Sequence, residues 1–255
     1  MMNSTLFYVL VLVSSSLLSF PLDPYKSALQ RDGETFEQII SNIRHDDEST
    51  VMSHRKKVED LDLSVLPEWE DVEFVSEKFE YVRDLKFLKT EEQPNLMRRS
   101  SWLYPDNGCY ARASLMIENL SKAKVELPWK VFIFGNLKVK TENHPRGYVK
   151  WWYHVVPIIK VGSEAYILDP AIDHHEPLTL EEWALRQVKE LDSATFSICH
   201  ASAYTPSSTC LGSSKMDLEL ALEDQNDYLA TEWIRQLNLD RDPYIVLGEN
   251  PPWLK

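Results

Sequence analysis

Three residues of this 255-residue chain have the types and the order of a nucleophilic acyl-transfer site: Cys109, His154 and Asp169. A cysteine thiolate attacks carbonyl carbon, an imidazole moves the proton, and a carboxylate fixes the imidazole's tautomer and orientation. Asp106-Asn107-Gly108 precedes the cysteine and has turn chemistry. From Cys109 to Lys122 the pattern is helical, which puts the thiol in the first turn of a helix. The unpaired N–H groups and partial positive charge of a helix start favour thiolate over thiol, and they can hold an oxyanion. Position alone also suits an ordinary packed thiol.

His154 lies within Trp151-Trp152-Tyr153-His154-Val155-Val156, inside a strand-like stretch from Tyr148 to Val161. Strand alternation groups it with Trp152 and Val156. Such a histidine is either a core residue or a base held rigidly beside the thiol. Asp169 ends a third strand, Ala165 to Asp169, where Pro170 stops it. An aspartate before proline also serves simple turns. If the two strands pair antiparallel, His154 and Asp169 meet.

The elements around these residues suggest an α+β arrangement, a helix followed by successive strands. Trp129 to Lys140 is strand-like, as is Ala194 to Cys199. Helices are predicted at Pro24 to Arg44 (Leu29, Phe36, Ile39, Ile40 and Ile43 on one face) and from about Trp69 to Leu88. Two more follow. One runs from Thr179 to about Lys189, with a capping box at Glu182, and one from Met216 to Leu237 carries Leu222, Leu229 and Leu237. The mixed-charge stretch His45 to Asp62 contains Arg55-Lys56-Lys57, a protease-sensitive link. A second dibasic pair, Arg98-Arg99, sits in a loop from Lys89 to Ser101. Cleavage there would remove the 69–88 helix, so the site near Arg55 to Lys57 is favoured.

Composition bounds the function. Hydrophobic residues make up 44% of the chain, enough for a core, and seven glycines with no phosphate-binding glycine motif exclude a dinucleotide site. A net charge of −13 without a basic, aromatic-interleaved stripe speaks against nucleic acid as partner. Leu6 to Leu18 is apolar and short for a membrane span. It fits a secretory signal over residues 1–19, although no Lys or Arg precedes it; the expected location is secreted or periplasmic, off the membrane after signal removal. In an oxidising compartment Cys199 and Cys210 can close a small loop and leave Cys109 unpaired; otherwise all three are reduced. Asp173-His174-His175 lacks a second ligand cluster and reads as a solvated loop, so no metal and no cofactor are expected.

Four motifs in order carry a resemblance: Asp106-Asn107-Gly108-Cys109-Tyr110-Ala111-Arg112-Ala113, Val131-Phe132-Ile133-Phe134-Gly135-Asn136-Leu137-Lys138, Trp152-Tyr153-His154-Val155 and Leu168-Asp169-Pro170. Over roughly residues 100–172 the chain resembles the bacterial protein glutaminases. The resemblance implies a papain/transglutaminase-like α+β core, with the nucleophile at a helix N-terminus packed on an antiparallel sheet. It implies Cys109 as nucleophile, His154 as general base and acid, and Asp169 as the orienting partner. The implied reaction is hydrolysis of glutamine side chains in proteins or peptides to glutamate and ammonia through a thioester. It further implies a signal peptide and an inhibitory pro-segment, here residues 20–65, before a catalytic domain at 66–255. The Cys199 to Cys210 loop is similar to a disulfide loop of the family. One departure stands at Asn107, where members carry Asp. Asn136, Trp152 and Tyr153 flank motif positions and either shape a substrate pocket or simply pack. A transglutaminase or cysteine peptidase on the same core, and a non-catalytic binding protein keeping the scaffold, are the alternatives.

Overall fold

The computed structural model describes residues 28–30, 33–43, 47–249, 251 and 253–254. The signal segment at 1–19 lies outside the described residues. The core is one antiparallel sheet with strand order β4-β3-β2-β1-β5. The strands are β1 (Trp129–Lys140), β2 (Tyr148–Val161), β3 (Glu164–Ile167), β4 (Leu178–Thr179) and β5 (Thr195–Cys199). Strand β2 is buried without a break from Trp151 to Ile159, because both of its faces are covered. Strand β1 alternates at its far end, burying Leu137 and Val139 and exposing Asn136, Lys138 and Lys140. At Gly135 and Asn136 it bulges against Trp152, so the register shifts between Phe134 and Leu137.

Helix α3 (Cys109–Lys122) packs on β2 and is buried on nearly every side. Helix α2 (Val72–Asp84) starts where Asp71 accepts the Phe74 N–H and packs Val75, Phe79 and Val82 against Met116 and Leu120 of α3. Helix α4 (Leu180–Leu185) begins with the expected Thr179–Glu182 capping box but ends earlier than the sequence suggests. Cys199 and Cys210 are joined, with their Cα atoms 4.6 Å apart, and Cys109 is a free, buried cysteine. Among the described residues no helix is long and apolar enough to cross a membrane.

Several expectations are corrected. The helix expected over 24–44 is described only as α1 (Phe36–Ser41), capped by Thr35 and Gln38. Residues 28–30 are instead extended along β2: Gln30 N–H bonds the Lys150 carbonyl at 3.1 Å, and Trp152 N–H bonds the Ala28 carbonyl at 3.2 Å. The free flank of β2 at these residues offers backbone partners that outcompete helix formation. The Arg55 to Lys57 stretch is not an open link. Lys56 exchanges two 2.8 Å backbone bonds with Phe196 and extends the sheet beyond β5. Arg98 and Arg99 are buried: Arg98 pairs with Glu232 at 2.5 Å, and Arg99 donates to the Leu247 and Gly248 carbonyls. That dibasic pair is structural rather than a cleavage point.

Helix α5 (Leu218–Asn238) buries Leu229 as expected but departs from the expected pattern elsewhere. Leu222 and Leu237 are exposed, whereas Gln225, Glu232 and Gln236 are buried. Gln225, Tyr228, Glu232 and Arg235 recur at helical spacing along one stripe and grip the loop leading to Cys109. Gln225 Oε1 accepts the Ser101 N–H at 2.8 Å, and Glu232 Oε1 accepts the Leu103 N–H at 3.0 Å. Arg235 forks onto Asp106 at 2.7 and 3.0 Å. Tyr228 lies over Gly108, which has φ +80°; a Cβ there would meet the ring at 2.5 Å.

Gly108→Ala is expected to cost about 2–4 kcal/mol in urea unfolding, from left-handed strain plus overpacking. In a Tyr228→Ala background the same substitution should cost only about 1 kcal/mol, the backbone part. Equal costs in both backgrounds would contradict the ring contact.

Candidate active site

The site begins at the N-terminus of α3. Gly108, the N-cap, carries no side chain to occupy the first-turn N–H groups. Asn107, the departure from the family pattern, uses Oδ1 to accept the Gly108 N–H at 2.9 Å and the Ala28 N–H at 3.4 Å. One turn into the helix, the buried Arg112 turns back and donates to the carbonyls of Asn107 (2.6 Å), Tyr104 (3.3 Å) and Ser101 (3.4 Å). Asp106 fixes the loop from the other side through Arg235. Its own carbonyl accepts from Trp151 Nε1 at 3.2 Å.

The antiparallel β2–β3 pair brings the second and third residues together. The Leu168 N–H bonds the Pro157 carbonyl at 3.1 Å, carrying the ladder to the residue before Asp169. His154 Nε2 then lies 2.8 Å from Asp169 Oδ2. The carboxylate is fully used: Oδ2 also accepts from Trp183 Nε1 at 2.9 Å, and Oδ1 accepts the Ala171 N–H at 3.1 Å. His154 stacks on Trp151 with centroids 4.4 Å apart, and on Trp183 at 5.8 Å. The alternation argument had grouped it with Trp152, which instead packs beside Phe134 and Tyr153.

Cys109, His154, Asp169 and Arg112 line one small cavity, closed further by Trp102 and Leu168, with room for on the order of one water molecule. His154 Nδ1 makes no hydrogen bond among the described residues, and it is the ring nitrogen left for proton exchange. Burial alone would push this imidazole down. The Asp169 charge and hydrogen bond, followed by Cys109, outweigh burial and push it up to about 9. Burial likewise favours a protonated Asp169, yet His154 and the Trp183 donor hold it below the usual carboxylate value. Both shifts favour the imidazolium–carboxylate form of the pair.

The structure brings Cys109, His154 and Asp169 together and places the other candidates differently. Asn136 is exposed; its Oδ1 accepts the Phe36 N–H at 2.8 Å and Gln30 Nε2 at 3.0 Å. Trp152 and Tyr153 are buried among aromatic rings. Trp183, Arg112 and the α5 stripe escaped the sequence reading. The capping box locates α4, but nothing in it says that the Trp183 indole reaches Asp169. Of the histidine pair, His174 stacks on Trp102, and no group of three or more metal-ligating side chains occurs among the described residues.

Residues 75–187 match the family model described as Glutaminase. Among solved structures, the chain is similar to pro-protein-glutaminase, with 24% identity over 66% of this chain and 61% of that one, TM-score 0.47. A mutant of pro-protein-glutaminase aligns at 25% identity over 59% of this chain and 56% of that one, TM-score 0.44. The protein-glutaminase of Chryseobacterium proteolyticum aligns at 24% over 60% of this chain and 84% of that one, TM-score 0.46. The chain thus spans less than two thirds of the two pro-forms. No curated protein matches.

Because the His154 value is raised on folding, its stabilisation is complete below the unfolded value of 6.5 and is lost as pH rises through about 9. Urea unfolding at pH 6.5 and at pH 9 should show wild type losing stability over that interval, and His154→Phe losing much less. Parallel losses in both proteins would contradict the ion pair.

Proposed function

We propose that the chain hydrolyses the side-chain carboxamide of glutamine in proteins or peptides, giving glutamate and ammonia. The carrying observation is the His154–Asp169 pair, with Nδ1 unpaired, in the same cavity as the helix-start thiol of Cys109. The glutaminase family match over residues 75–187 supports the same chemistry.

In this reading the proton shared by Cys109 and His154 already sits on the imidazole, and Cys109 Sγ bonds the amide carbon as the thiolate. The carbonyl oxygen takes the negative charge and is held by first-turn N–H groups of α3. As the C–N bond breaks, His154 Nδ1 donates its proton to the departing ammonia and a thioester remains. Water then attacks the thioester, His154 takes a proton from it, and Cys109 leaves as the thiolate, which restores the starting pair. Asp169 stays ionised throughout and fixes the ring, as a triad carboxylate does.

The proposal includes export and latency. The Cys199–Cys210 disulfide suits an oxidising compartment, in line with a signal at 1–19 and a secreted or periplasmic protein. Residues 28–30 lie against the flank of β2 beside the nucleophile loop, with Ala28 bonded to Asn107, and Phe36 bonds Asn136. They act as the covering part of a pro-segment whose release opens the site. The papain/transglutaminase-like description of the core belongs to this same reading.

Ammonia release from a glutamine-containing protein, followed by intact mass, tests the reaction on trimmed and full-length protein. Wild type is expected to release ammonia with the amide-to-acid mass shift only, more after trimming. Cys109→Ala should release none while remaining folded. Full activity in Cys109→Ala would overturn the assignment; joined chains or fragments would favour a transglutaminase or a peptidase.

A further inference from the structure

The chain is acidic, with 27 Lys and Arg against 40 Asp and Glu, yet one surface is basic. The outward positions of β1 and β2 present Lys138, Lys140 and Lys150, all exposed. Across from β1, the end of α4 and the turn after it present Arg186 and Lys189, also exposed. Between them lies a cavity of about 1030 Å³, lined by Lys138, Lys140, Arg186, Lys189 and Asn136. Val139, Ile172 and Val188 supply apolar walls. A second groove shares Asn136 and Lys138 and adds Arg146 and Lys150. Lys138 and Arg146 both rest on the Tyr148 ring, at 4.3 and 5.4 Å from its centroid, which orders part of this surface before anything binds.

Few carboxylates offset these charges. Glu190 lines the cavity, Glu34 lines the groove, and Asp173 lies 3.7 Å from Arg186. Six cations on one surface create a local positive potential. Screening over a Debye length of about 10 Å limits the repulsion from the rest of the acidic chain. The apolar walls suit side chains. Asn136, common to both hollows, is held by the Phe36 N–H and by Gln30 Nε2 at its Oδ1.

We propose that this surface binds an acidic stretch of the substrate polypeptide, so that the enzyme selects glutamines with carboxylates nearby in the chain. This rests on the deamidase reading and names its substrate class. The occupant is a peptide rather than a polynucleotide, because the surface pairs lysines with aliphatic walls that suit side chains.

The test uses two fluorescent peptides, each with one glutamine, flanked by glutamates in one and by serines in the other. Anisotropy with full-length Cys109→Ala at low salt should show the acidic peptide binding about tenfold more tightly, and the preference should fade at high salt. The triple variant Lys138→Glu/Lys140→Glu/Lys189→Glu, in the same background, should lose or reverse the preference. In trimmed active protein the acidic peptide should have the lower KM at similar kcat, and the triple variant should treat a short uncharged glutamine peptide like wild type. Equal binding of both peptides, an unchanged preference in the triple variant, or tighter binding of a single-stranded oligonucleotide of equal charge would overturn the proposal. Deamidation of both peptides without preference would sink this surface and leave the reaction standing. Charge-selective binding with no ammonia from any peptide would do the reverse.

Discussion

Everything in this molecule's candidate chemistry depends on one buried contact, His154 Nε2 to Asp169 Oδ2 at 2.8 Å. Withdrawing a carboxylate and an imidazolium from water costs several kcal/mol per ion, and mutual attraction alone repays it poorly. Here the carboxylate receives two further donors, the Trp183 indole and the Ala171 amide. Each belongs to an element that the pair then constrains. Trp183 requires α4 to cross behind β3. Ala171 requires the chain to turn immediately after Pro170. The stacked Trp151 and Trp183 rings fill the rest of the imidazole's surroundings, so its remaining nitrogen is directed to the cavity shared with Cys109.

The nucleophile's side of the cavity has a different construction. The run from Lys89 to Gly108 contains no helix or strand, yet much of its end is buried, and its backbone groups need partners. Side chains supply them. Arg112 collects three carbonyls, while Gln225 and Glu232 take two N–H groups. Arg98 and Glu232 form a buried pair whose worth lies in fixing this loop rather than in net stability. The thiol is placed by this polar scaffold as much as by the helix it begins.

Much of this was legible in the residues. Cys109–Lys122, Trp129–Lys140 and Tyr148–Val161 have strong periodicity or dense β-branched and aromatic content, and they form the elements expected of them. The antiparallel meeting of His154 and Asp169 followed from strand order. What failed has specific causes. The α5 helix was read by its leucines, and Leu229 is buried, but Gln225, Glu232 and Gln236 share its buried side because that side serves a loop as well as the core. The N-terminal helix was overextended because Leu29 fits the same period as Phe36 and Ile39, while in the fold Leu29 bridges to Trp151. His154 stacks on Trp151 rather than Trp152, a contact that a simple alternation count does not contain. Trp183 had no local signature, since its contact is set by tertiary structure alone.

The account's central claim is that His154 is held as an imidazolium by Asp169 beside the thiol. Side-chain NMR titration of His154 in the full chain measures this directly. The account predicts a midpoint near 9 in wild type and a clear fall in Asp169→Asn. A wild-type midpoint at the ordinary 6.5, unmoved by Asp169→Asn, would contradict it.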